Sequence, residues 1–352
     1  MSAQVAVIGG GVAGCAAAVA AADAGARVVL IVRDRFLGGA AVRGEHRTLC
    51  GLAPIDAPVP VLLEPELVGA WLPLVTVAQP ERHGRVWLWP TRSEVMRTGL
   101  AQRVGAAGID LRLGASVSAL ALDGERIAAV TVDGMPIAVD SVIDASGSGL
   151  VARLTGGIGE GVRQWPAYRA ELALDLAAGP AARVRALALA RTAIGSDAAT
   201  SLSPIAPGRW QLSVDLRPGS STLMAAELVE RIADRLGATV LAMAVCVAER
   251  DEGRPRGSLT LAELFAQRER NLCWAAWPGE AHGPDGTTWT WPDADRHGVP
   301  LSAVRTADTP ANCWYVGKGV PVAHDAASAL RVTGTCLALG AAVGHIAAGS
   351  EH

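Results

Sequence analysis

The sequence predicts an α/β protein that begins with a buried parallel strand, a glycine turn and a helix. Residues 5–8 are an apolar run that leads directly into the pattern Gly-x-Gly-x-x-Gly at residues 9–14. The alanine-rich stretch 16–24 favours a helix, and Gly25 stands where helices commonly end. The apolar run 28–32 then predicts a second parallel strand.

Each glycine of the first turn has its own role. Gly9 permits the tight turn, Gly11 allows a pyrophosphate to approach the backbone, and Gly14 lets the helix pack close to the strand. Backbone N–H groups at a helix start, here those of Val12 and Ala13, attract phosphates together with the helix dipole. The first strand–helix–strand unit therefore predicts a dinucleotide site.

Two further patterns accompany this unit. Residues 36–40, just after the second strand, carry a pair of adjacent glycines. Residues 314–319 favour a strand followed by a glycine turn, and residues 328–335 lead into a helix-like run over 336–348. With these pieces the chain resembles the FAD-dependent oxidoreductase family of the glutathione-reductase-like flavoproteins, in the branch with relatives of the heterodisulfide-reductase flavin subunit.

The resemblance implies FAD rather than NAD, because plain NAD dehydrogenases lack the paired glycines after the second strand. It also implies an FAD-binding Rossmann-like domain of the glutathione-reductase type with an inserted α+β substrate domain. The expected division is an FAD-binding domain of residues 1–50, 90–160 and 300–352, and a substrate or cap domain of residues 51–89 and 161–299.

The resemblance also assigns residues to the cofactor. Residues 141–149 resemble the family's second FAD motif, with Ser148 where an acid is common, and the backbone near Val117 is expected beside the adenine. Arg331 is expected at the flavin pyrimidine or pyrophosphate, where a positive charge stabilises anionic reduced flavin. The residues expected to bind FAD are Gly9, Gly11, Val12, Ala13, Gly14, Arg33, Asp34, Gly38, Gly39, Ala40, Val117, Ala145, Ser146, Gly147, Gly317, Arg331, Thr333, Gly334 and Thr335.

The end of the second strand departs from the family's pattern. An acid that hydrogen-bonds the adenosine ribose is usual there, whereas this chain has Val32, followed by Arg33 and Asp34. Side chains alternate along a strand, so Asp34 is expected on the same side as Val32. Either Asp34 replaces the acid or this corner contributes less to binding. Arg33 is a candidate contact for the adenine or a phosphate.

Composition and charge indicate a cytoplasmic protein. The 352 residues suit a dinucleotide domain with a second domain, and no apolar stretch approaches the ~20 residues that span a membrane. No signal peptide is expected before the first strand. The formal net charge is −3 without charge blocks, which argues against nucleic acid or membrane as a partner.

The cysteines give no sign of a metal or disulfide site. The 6 cysteines are scattered, without a Cys-x-x-Cys pair or metal-ligand spacing. Dithiol reductases of this superfamily carry two nearby cysteines after the paired glycines, and this chain has only Cys50 there. Disulfide exchange is therefore not expected. Cys15 is expected to be a small buried residue, and Cys246 takes no part in any motif.

The remaining elements are predicted from local patterns. Residues 87–89 alternate like a strand, and residues 90–94 begin a helix with Ser or Thr available as a cap. Residues 109–119 and 127–132 are expected to pair as strands. Residues 210–216 alternate as a half-buried strand. Apolar spacing over residues 223–236 predicts a helix.

Ten tryptophans against two tyrosines and two phenylalanines form an unusual aromatic set. Close pairs occur within residues 87–89, 274–277 and 289–291. They either line a pocket for an aromatic or peptide-like substrate or contribute ordinary core and rim packing. Residues 280–297, which are rich in Gly, Pro, Asp and Trp, predict a long loop and a candidate lid.

Candidate catalytic residues are few, since a flavin supplies the redox chemistry itself. His46 is a candidate base, substrate anchor or covalent flavin link, and Cys50 a candidate contact with substrate or flavin. The alternatives are a polar turn residue and a buried thiol. His324 and Asp325 either form an acid–base pair or cap the following stretch.

Three function classes remain open on sequence grounds. The first is an FAD oxidoreductase that transfers hydride to or from a small-molecule or peptide-borne substrate. The second is a flavin monooxygenase that hydroxylates an aromatic or peptidyl residue, and the third is a non-catalytic FAD- or nucleotide-binding protein. Since no second glycine motif follows a strand, the expected reductant is the substrate itself, a transient NAD(P)H or an electron-donor protein. The sequence leaves the oligomeric state open.

Overall fold

The computed structural model describes residues 2–159, 167–176, 180–194, 198–206, 208–216, 220–244, 255–283 and 286–349. The strands are β1 (Gln4–Ile8), β2 (Arg27–Val32), β3 (Thr48–Leu49), β4 (Glu81–His83), β5 (Val86–Pro90), β6 (Asp110–Leu113), β7 (Val117–Asp123), β8 (Arg126–Val132), β9 (Met135–Ala138), β10 (Ser141–Asp144), β11 (Ala167–Ala173), β12 (Ala198–Ala206), β13 (Arg209–Leu216), β14 (Thr239–Ala244), β15 (Trp274–Ala275), β16 (Gly279–Gly283), β17 (Gly286–Thr290), β18 (His297–Gly298) and β19 (Cys313–Tyr315). The α-helices are α1 (Val12–Asp23), α2 (Gly39–Arg43), α3 (Pro65–Val68), α4 (Leu72–Val75), α5 (Ser93–Ala106), α6 (Leu150–Thr155), α7 (Pro180–Ile194), α8 (Thr222–Leu236), α9 (Leu261–Phe265), α10 (His324–Leu330) and α11 (Thr333–Ala347), and short 3-10 turns lie at Leu301–Ala303 and Gly317–Gly319.

A parallel sheet in the order β19-β10-β1-β2-β6 forms the centre of the fold. β1 pairs on one side with β2, where Val5 lies opposite Val28, and on the other with β10, where Ile8 lies opposite Asp144. Because all these strands run in one direction, their carboxyl ends meet at one edge. The prediction of an α/β protein with a parallel sheet is confirmed.

Helices α1 and α11 pack closely on this sheet. α1 is mostly alanine, begins after Gly11 and is followed by Gly25 with a positive φ of 88°, as the sequence predicts. Gly340 and Gly344 of α11 face α1, and a Cβ on Gly340 would lie 2.3 Å from the carbonyl oxygen of Ala13. The small residues on both helices therefore allow their backbones to approach.

The second sheet is antiparallel, in the order β12-β13-β11-β14. Residues Leu212, Val214 and Leu216 of β13 are buried in a core with α8, which confirms the alternation predicted there. The predicted helix over residues 223–236 is also confirmed as α8. The opposite face of this sheet carries polar side chains, namely Arg169, Glu171 and Gln211, which contact residues 44–47. The expected boundary at residues 160 and 161, like Cys246, lies outside the described residues.

The expected pairing of residues 109–119 with 127–132 is wrong in part. The segment divides at Gly114, whose φ of 74° interrupts the strand. β6 joins the parallel sheet beside β2, while β7 pairs with β8 around the turn after Asp123. Two strands of different sheets therefore lie where one was predicted.

The expected long loop over residues 280–297 is also partly wrong. β16 and β17 form an antiparallel hairpin, with Glu280 opposite Trp289. The backbone N–H of Glu280 donates to Ser328 Oγ at 2.8 Å, which fixes the hairpin to α10. Backbone pairing thus replaces the loop that the turn-rich composition predicted, and the tip at residues 284–285 lies outside the described residues.

The tryptophan pairs lie mainly in packing contacts. Trp277 meets Trp289 edge-on at 6.2 Å between ring centroids, and Trp289 stacks on Trp291 at 6.3 Å. Arg85 lies 4.5 Å above the ring of Trp291. Trp87 Nε1 donates to the carbonyl of Ala57 at 2.9 Å. These contacts favour the packing interpretation.

Helix α5 begins without the expected Ser or Thr cap. Its cap residue is Arg92, which makes no side-chain capping bond. Thr91 Oγ1 instead donates to the carbonyl of Val75, and Ser93 Oγ donates to Glu45 Oε2 at 2.8 Å. Both hydroxyls are therefore used in long-range contacts that the local pattern does not reveal.

Among the described helices none alone is long and apolar enough to span a membrane. α10 and α11 together meet the length and composition test, but they are bent by 91° at the break between them. Most residues of both helices are buried within the fold.

His297 predicts a pH dependence of stability. Its side chain is 0% exposed, and both ring nitrogens lack a hydrogen-bond partner in the described residues. Burial, with the charge of Arg268, lowers the pKa of His297 to about 4. The unfolded chain therefore binds an extra proton below its ordinary pKa of about 6.5, so stability is complete above that pH and is lost as the pH falls towards 4.

The expected loss is about 2 kcal/mol in the free energy of unfolding between about pH 7 and about pH 5. Urea unfolding at the two pH values measures it, and His297→Leu should remove this part of the pH dependence. An equal fall for the wild type and for His297→Leu would contradict the assignment.

Candidate active site

The glycine turns predicted from the sequence meet at the carboxyl edge of the parallel sheet. The N–H of Gly38 donates to the carbonyl of Gly10 at 2.7 Å, and a Cβ on Gly39 would lie 3.1 Å from Gly11 Cα. A Cβ on Gly317 would lie 3.2 Å from the Cβ of Ala13. Three segments far apart in the sequence therefore enclose the start of α1.

A fourth segment, residues 145–149, joins this group. Gly319 approaches the backbone of Gly147, and a Cβ on Gly147 would lie 3.8 Å from the Cβ of Lys318. Asp144, a buried residue the sequence reasoning missed, accepts hydrogen bonds from the N–H of Ser146 at 2.9 Å and of Val151 at 2.8 Å. Burial raises its pKa. Asp144 could have been selected from the sequence, because it stands at the end of a buried strand and shortly before two glycines.

Only one glycine of the first motif leaves open space. A Cβ on Gly9 would lie 2.4 Å from the carbonyl oxygen of Ala145, and one on Gly14 only 1.9 Å from that of Gly9. Nothing lies within 4 Å of a Cβ on Gly11. Gly9 and Gly14 are thus required for packing, whereas Gly11 borders a cradle.

The start of α1 is suited to an anion. The cap residue Gly11 has no side chain that could occupy the helix start, and the first turn contains no acidic residue. The N–H groups of Val12, Ala13 and Gly14 precede the first intrahelical bond, which runs from Cys15 to Gly11. Cys15 is fully buried, as expected, with Sγ 3.4 Å from the carbonyl oxygen of Gly10.

At the second strand's end, Val32 packs into the interior. Its side chain is 3% exposed and lies next to Gly10. Asp34 accepts from Arg43 Nη1 at 2.8 Å, so its carboxylate is already paired. Arg33 is exposed beyond the strand. Alternation does not continue past Val32, because β2 ends there.

The segment Gly44–Cys50 connects this region to α11 and to the second sheet. Thr333 Oγ1 accepts from the N–H of Cys50 at 3.2 Å, and the carbonyl of Cys50 accepts from the N–H of Gly334 at 2.8 Å. Thr335 Oγ1 is buried without a partner in the described part of the chain. The start of α11 is therefore tied to Cys50 and retains one unsatisfied hydroxyl.

The polar face of the second sheet covers the other side of the same segment. Arg169 Nη1 donates to the carbonyl of Gly44 at 2.8 Å, and Gln211 Nε2 donates to that of Glu45 at 3.3 Å. Arg47 Nη2 donates to Glu171 Oε2 at 2.7 Å. None of these second-sheet partners follows from a sequence motif, since each pairs with a residue more than a hundred positions away.

His46 lies within this segment and is neutral at ordinary pH. Burial, followed by the positive charges of Arg169 and Arg331, lowers its pKa to about 3. Arg331 therefore lies close enough to His46 for its charge to act on the imidazole. The imidazole has one donor and one acceptor nitrogen in this state.

The other predicted residues lie in three further elements, α10, β7 and α2. His324 and Asp325 form the first turn of α10, where Asp325 Oδ1 accepts from the N–H of Ala326 at 2.8 Å. Val117 begins β7 and is buried. Ala40 lies in α2, directly after the paired glycines.

A cavity of about 720 Å³ opens between the Gly44–Cys50 segment and the second sheet. Four arginines line it, from the end of β2, from α2, from the Gly44–Cys50 segment and from β11: Arg33, Arg43, Arg47 and Arg169. Glu45 and Glu171 also line it.

Comparison with known families identifies the chain. The family described as FAD dependent oxidoreductase matches residues 4–177 and 249–351, which is most of the sequence. The chain belongs to the FAD-dependent oxidoreductases. It is accordingly an enzyme whose cofactor is FAD, which confirms the main prediction from the sequence. No curated protein matches the chain.

Solved structures share the fold of this FAD-dependent oxidoreductase at low identity. The geranylgeranyl bacteriochlorophyll reductase-like protein from Thermoplasma acidophilum is 12% identical with a TM-score of 0.52, and the match covers 99% of this chain and 78% of that one. Glycine oxidase from Bacillus cereus is 12% identical with a TM-score of 0.50 over 99% and 96% of the two chains. OxyS anhydrotetracycline hydroxylase from Streptomyces rimosus is 14% identical with a TM-score of 0.50 over 91% and 57%.

The residues present fit FAD. The open space at Gly11 and the N–H groups that begin α1 suit the pyrophosphate. The unpartnered Thr335 hydroxyl at the start of α11 matches the predicted contact with the flavin. Together these features would hold the cofactor along the carboxyl edge of the sheet.

We predict that Val32→Glu tightens FAD binding. A glutamate there would extend past Gly10 towards the glycine turn, and one further hydrogen bond to the ribose contributes about 0.5–1.5 kcal/mol. Titration of the apoprotein with FAD measures it. Asp34→Ala is the companion variant, because weaker binding would show that Asp34 replaces the missing acid. Unchanged affinity in both variants would mean that neither position contacts the ribose.

We predict that Cys50→Ser retains FAD and its reduction rate. Burial, followed by the nearby charge of Glu280, raises the pKa of Cys50 to about 12, so the thiol stays protonated and is a poor nucleophile. The N–H and the carbonyl of Cys50 bond to the start of α11, and serine preserves both. The serine hydroxyl can also replace the hydrogen bond between the thiol and Thr333. Flavin absorbance and single-turnover reduction test this. Loss of flavin would place the thiol in the cofactor cradle, and loss of reduction alone would give it a chemical role.

Proposed function

We propose that this FAD-dependent oxidoreductase carries out hydride-transfer oxidation or reduction of a small-molecule substrate between its two sheets. Its FAD-binding part would be of the glutathione-reductase type and comprise residues 1–50, 90–160 and 300–352. Residues 51–89 and 161–299 would form the substrate domain. The proposed reductant or oxidant partner is the substrate, a transient NAD(P)H or an electron-donor protein.

One observation carries this proposal. The segment Gly44–Cys50 contacts the start of α11 on one side and the polar face of the second sheet on the other. The start of α11 holds residues predicted to contact the flavin, namely Thr333 and Thr335. A substrate held against this segment would therefore lie between the cofactor site and the second sheet.

The chain's own residues would bind and orient the substrate. FAD, when bound, supplies the two-electron acceptor or donor. Neutral His46 can donate one hydrogen bond and accept another, so it would orient a hydroxyl or amine of the substrate. Burial disfavours the imidazolium most, and the charges of Arg169 and Arg331 disfavour it further, so His46 would act as a hydrogen-bonding group rather than as a strong base. The second sheet covers the segment and limits the access of water.

Stopped-flow spectroscopy tests the proposed reaction class. The FAD-loaded enzyme is mixed anaerobically with NADH, NADPH or candidate substrates, and the flavin absorbance is followed. Bleaching by a substrate without nicotinamide would support direct hydride transfer. Absence of reduction by every donor, including dithionite as the positive control, would oppose a redox role.

Hydroxylation is the second candidate. OxyS, described as an anhydrotetracycline hydroxylase, shares the fold. Mixing the reduced enzyme with oxygen separates the two reactions, since only a hydroxylase would incorporate an oxygen atom into the substrate. Mass spectrometry of the product with labelled oxygen reports this directly.

A further inference from the structure

The arginine-lined cavity between the Gly44–Cys50 segment and the second sheet has a charge that its own carboxylates do not balance. Glu171 is paired with Arg47 and with Arg209. Arg43 is paired with Asp34. These pairs account for two of the four arginines that line the cavity.

The other two arginines have no carboxylate partner among the described residues. Arg169 donates a hydrogen bond to the carbonyl of Gly44, and Arg33 makes no side-chain hydrogen bond within the described part of the chain. The remaining acid of the cavity, Glu45, accepts from the hydroxyl of Ser93. A guanidinium offers five N–H donors in a planar fork, which fits the two oxygens of a carboxylate or phosphate.

The lining is unsuited to an aromatic substrate. Its described apolar residues are Ala170, Ala242 and Met243, and none of the described lining residues is aromatic. Pockets for drug-sized apolar ligands are lined mainly by hydrophobic and aromatic side chains. The volume of about 720 Å³ nevertheless admits a ligand of that size.

We propose that this cavity binds an oxyanion group of the substrate, a carboxylate or a phosphate, through Arg169 and Arg33. The proposal rests on the proposed function in that the bound molecule is taken to be the one that reacts. Arg169 fixes the anion beside the Gly44–Cys50 segment, and Arg33 approaches it from the end of β2. The substrate is therefore a polar anion rather than an aromatic or isoprenoid molecule.

Two features of the surroundings agree with this assignment. An anion on Arg169 would offset a positive charge that disfavours protonation of His46, so binding would also make His46 a better base. Part of the cavity wall, including Gln211 and Met243, lies in residues 178–248, which fall between the two stretches that match the family. The cavity is thus partly formed by sequence outside the family's common core.

Isothermal titration of the FAD-loaded enzyme with citrate and with inorganic pyrophosphate tests the proposal. Binding of at least one anion is expected, and the stronger of the two identifies the carboxylate or the phosphate source. Arg169→Gln and Arg33→Gln should each weaken it about tenfold or more, since a charged hydrogen bond is lost. Arg112→Gln is the matched control, because Arg112 is an exposed arginine that is paired with Asp110 and does not line the cavity.

Three results would overturn the proposal. One is that neither anion binds, or that neutral 1-naphthol binds more tightly than both anions. Another is that Arg112→Gln weakens anion binding as much as Arg169→Gln does. The third is that saturation with FAD abolishes anion binding, since the cavity would then belong to the cofactor's own phosphates. If Arg169→Gln does not fold, Arg169→Lys, which keeps the charge but loses the fork, must still weaken binding. If the protein did not retain FAD, the proposed function would be contradicted on its own. Anion binding could still be measured, because the same titration can be made on the protein without FAD.

Discussion

Gly11→Val should abolish FAD binding without unfolding the protein. Gly11 has φ −69° and ψ 175°, a conformation that valine adopts readily, and nothing lies within 4 Å of an added Cβ. The substitution therefore costs the apoprotein little. The side chain would instead fill the space through which a pyrophosphate reaches the N–H groups of α1. Purified Gly11→Val should show no flavin absorbance and an unchanged circular dichroism spectrum.

Gly14→Val is the contrasting variant. Its Cβ would lie 1.9 Å from the carbonyl oxygen of Gly9, so the helix would have to leave the strand. Gly14→Val should lose its folded structure, whereas Gly11→Val should stay folded and lose only the flavin. If Gly11→Val bound FAD with wild-type stoichiometry, the cofactor would not approach the backbone at this turn.

The centre of the fold was predictable because its signals are local. Strands buried on both faces are continuous apolar runs, and the glycine at position 14 follows from a backbone contact with Gly9 inside one strand–helix unit. The alanine helix and the positive φ of Gly25 are likewise set by neighbouring residues. These elements could be located to within a few residues.

Errors arose where pairing is decided at long range. The sequence predicted one strand over residues 109–119, where β6 ends and β7 begins. Only the strands with which they pair show that β6 and β7 belong to different sheets. The hairpin of β16 and β17 has the composition of a loop, yet its backbone groups pair and one of them reaches Ser328. Amino-acid composition indicates residues that favour turns, but it does not show which backbone groups pair with one another.

On the cofactor side of the candidate site, the sequence offered residues to select. His46 and Arg331 were selected from their position after glycine motifs, and in the structure the charge of Arg331 acts on His46. Arg169 and Glu171 carry no motif, and they contact Gly44 and Arg47 only through the tertiary fold. Contacts of this kind are determined by tertiary packing between distant segments, which a single sequence does not encode locally.

Gly340→Val should destabilise the fold by about 3 kcal/mol or more, the upper range for overpacking of a tight contact. An added Cβ on Gly340 would lie 2.3 Å from the carbonyl oxygen of Ala13 and 3.0 Å from its carbonyl carbon, so backbone must move. Ala13 lies in the first turn of α1, and α11 begins at Thr333, so separation of the two helices disturbs both ends of the cofactor site. FAD retention should therefore fall together with stability.

Gly105→Val provides the control for helix propensity. Gly105 also lies within a helix, α5, but nothing lies within 4 Å of its added Cβ. Valine is a slightly better helix former than glycine, so this variant should match or slightly exceed the wild type in stability. Urea unfolding of both variants, with flavin absorbance measured on the same samples, separates packing from propensity. If Gly340→Val were as stable as Gly105→Val, then α1 and α11 would not be in backbone contact, and the close approach that gathers the glycine turns around Gly11 would have to be abandoned.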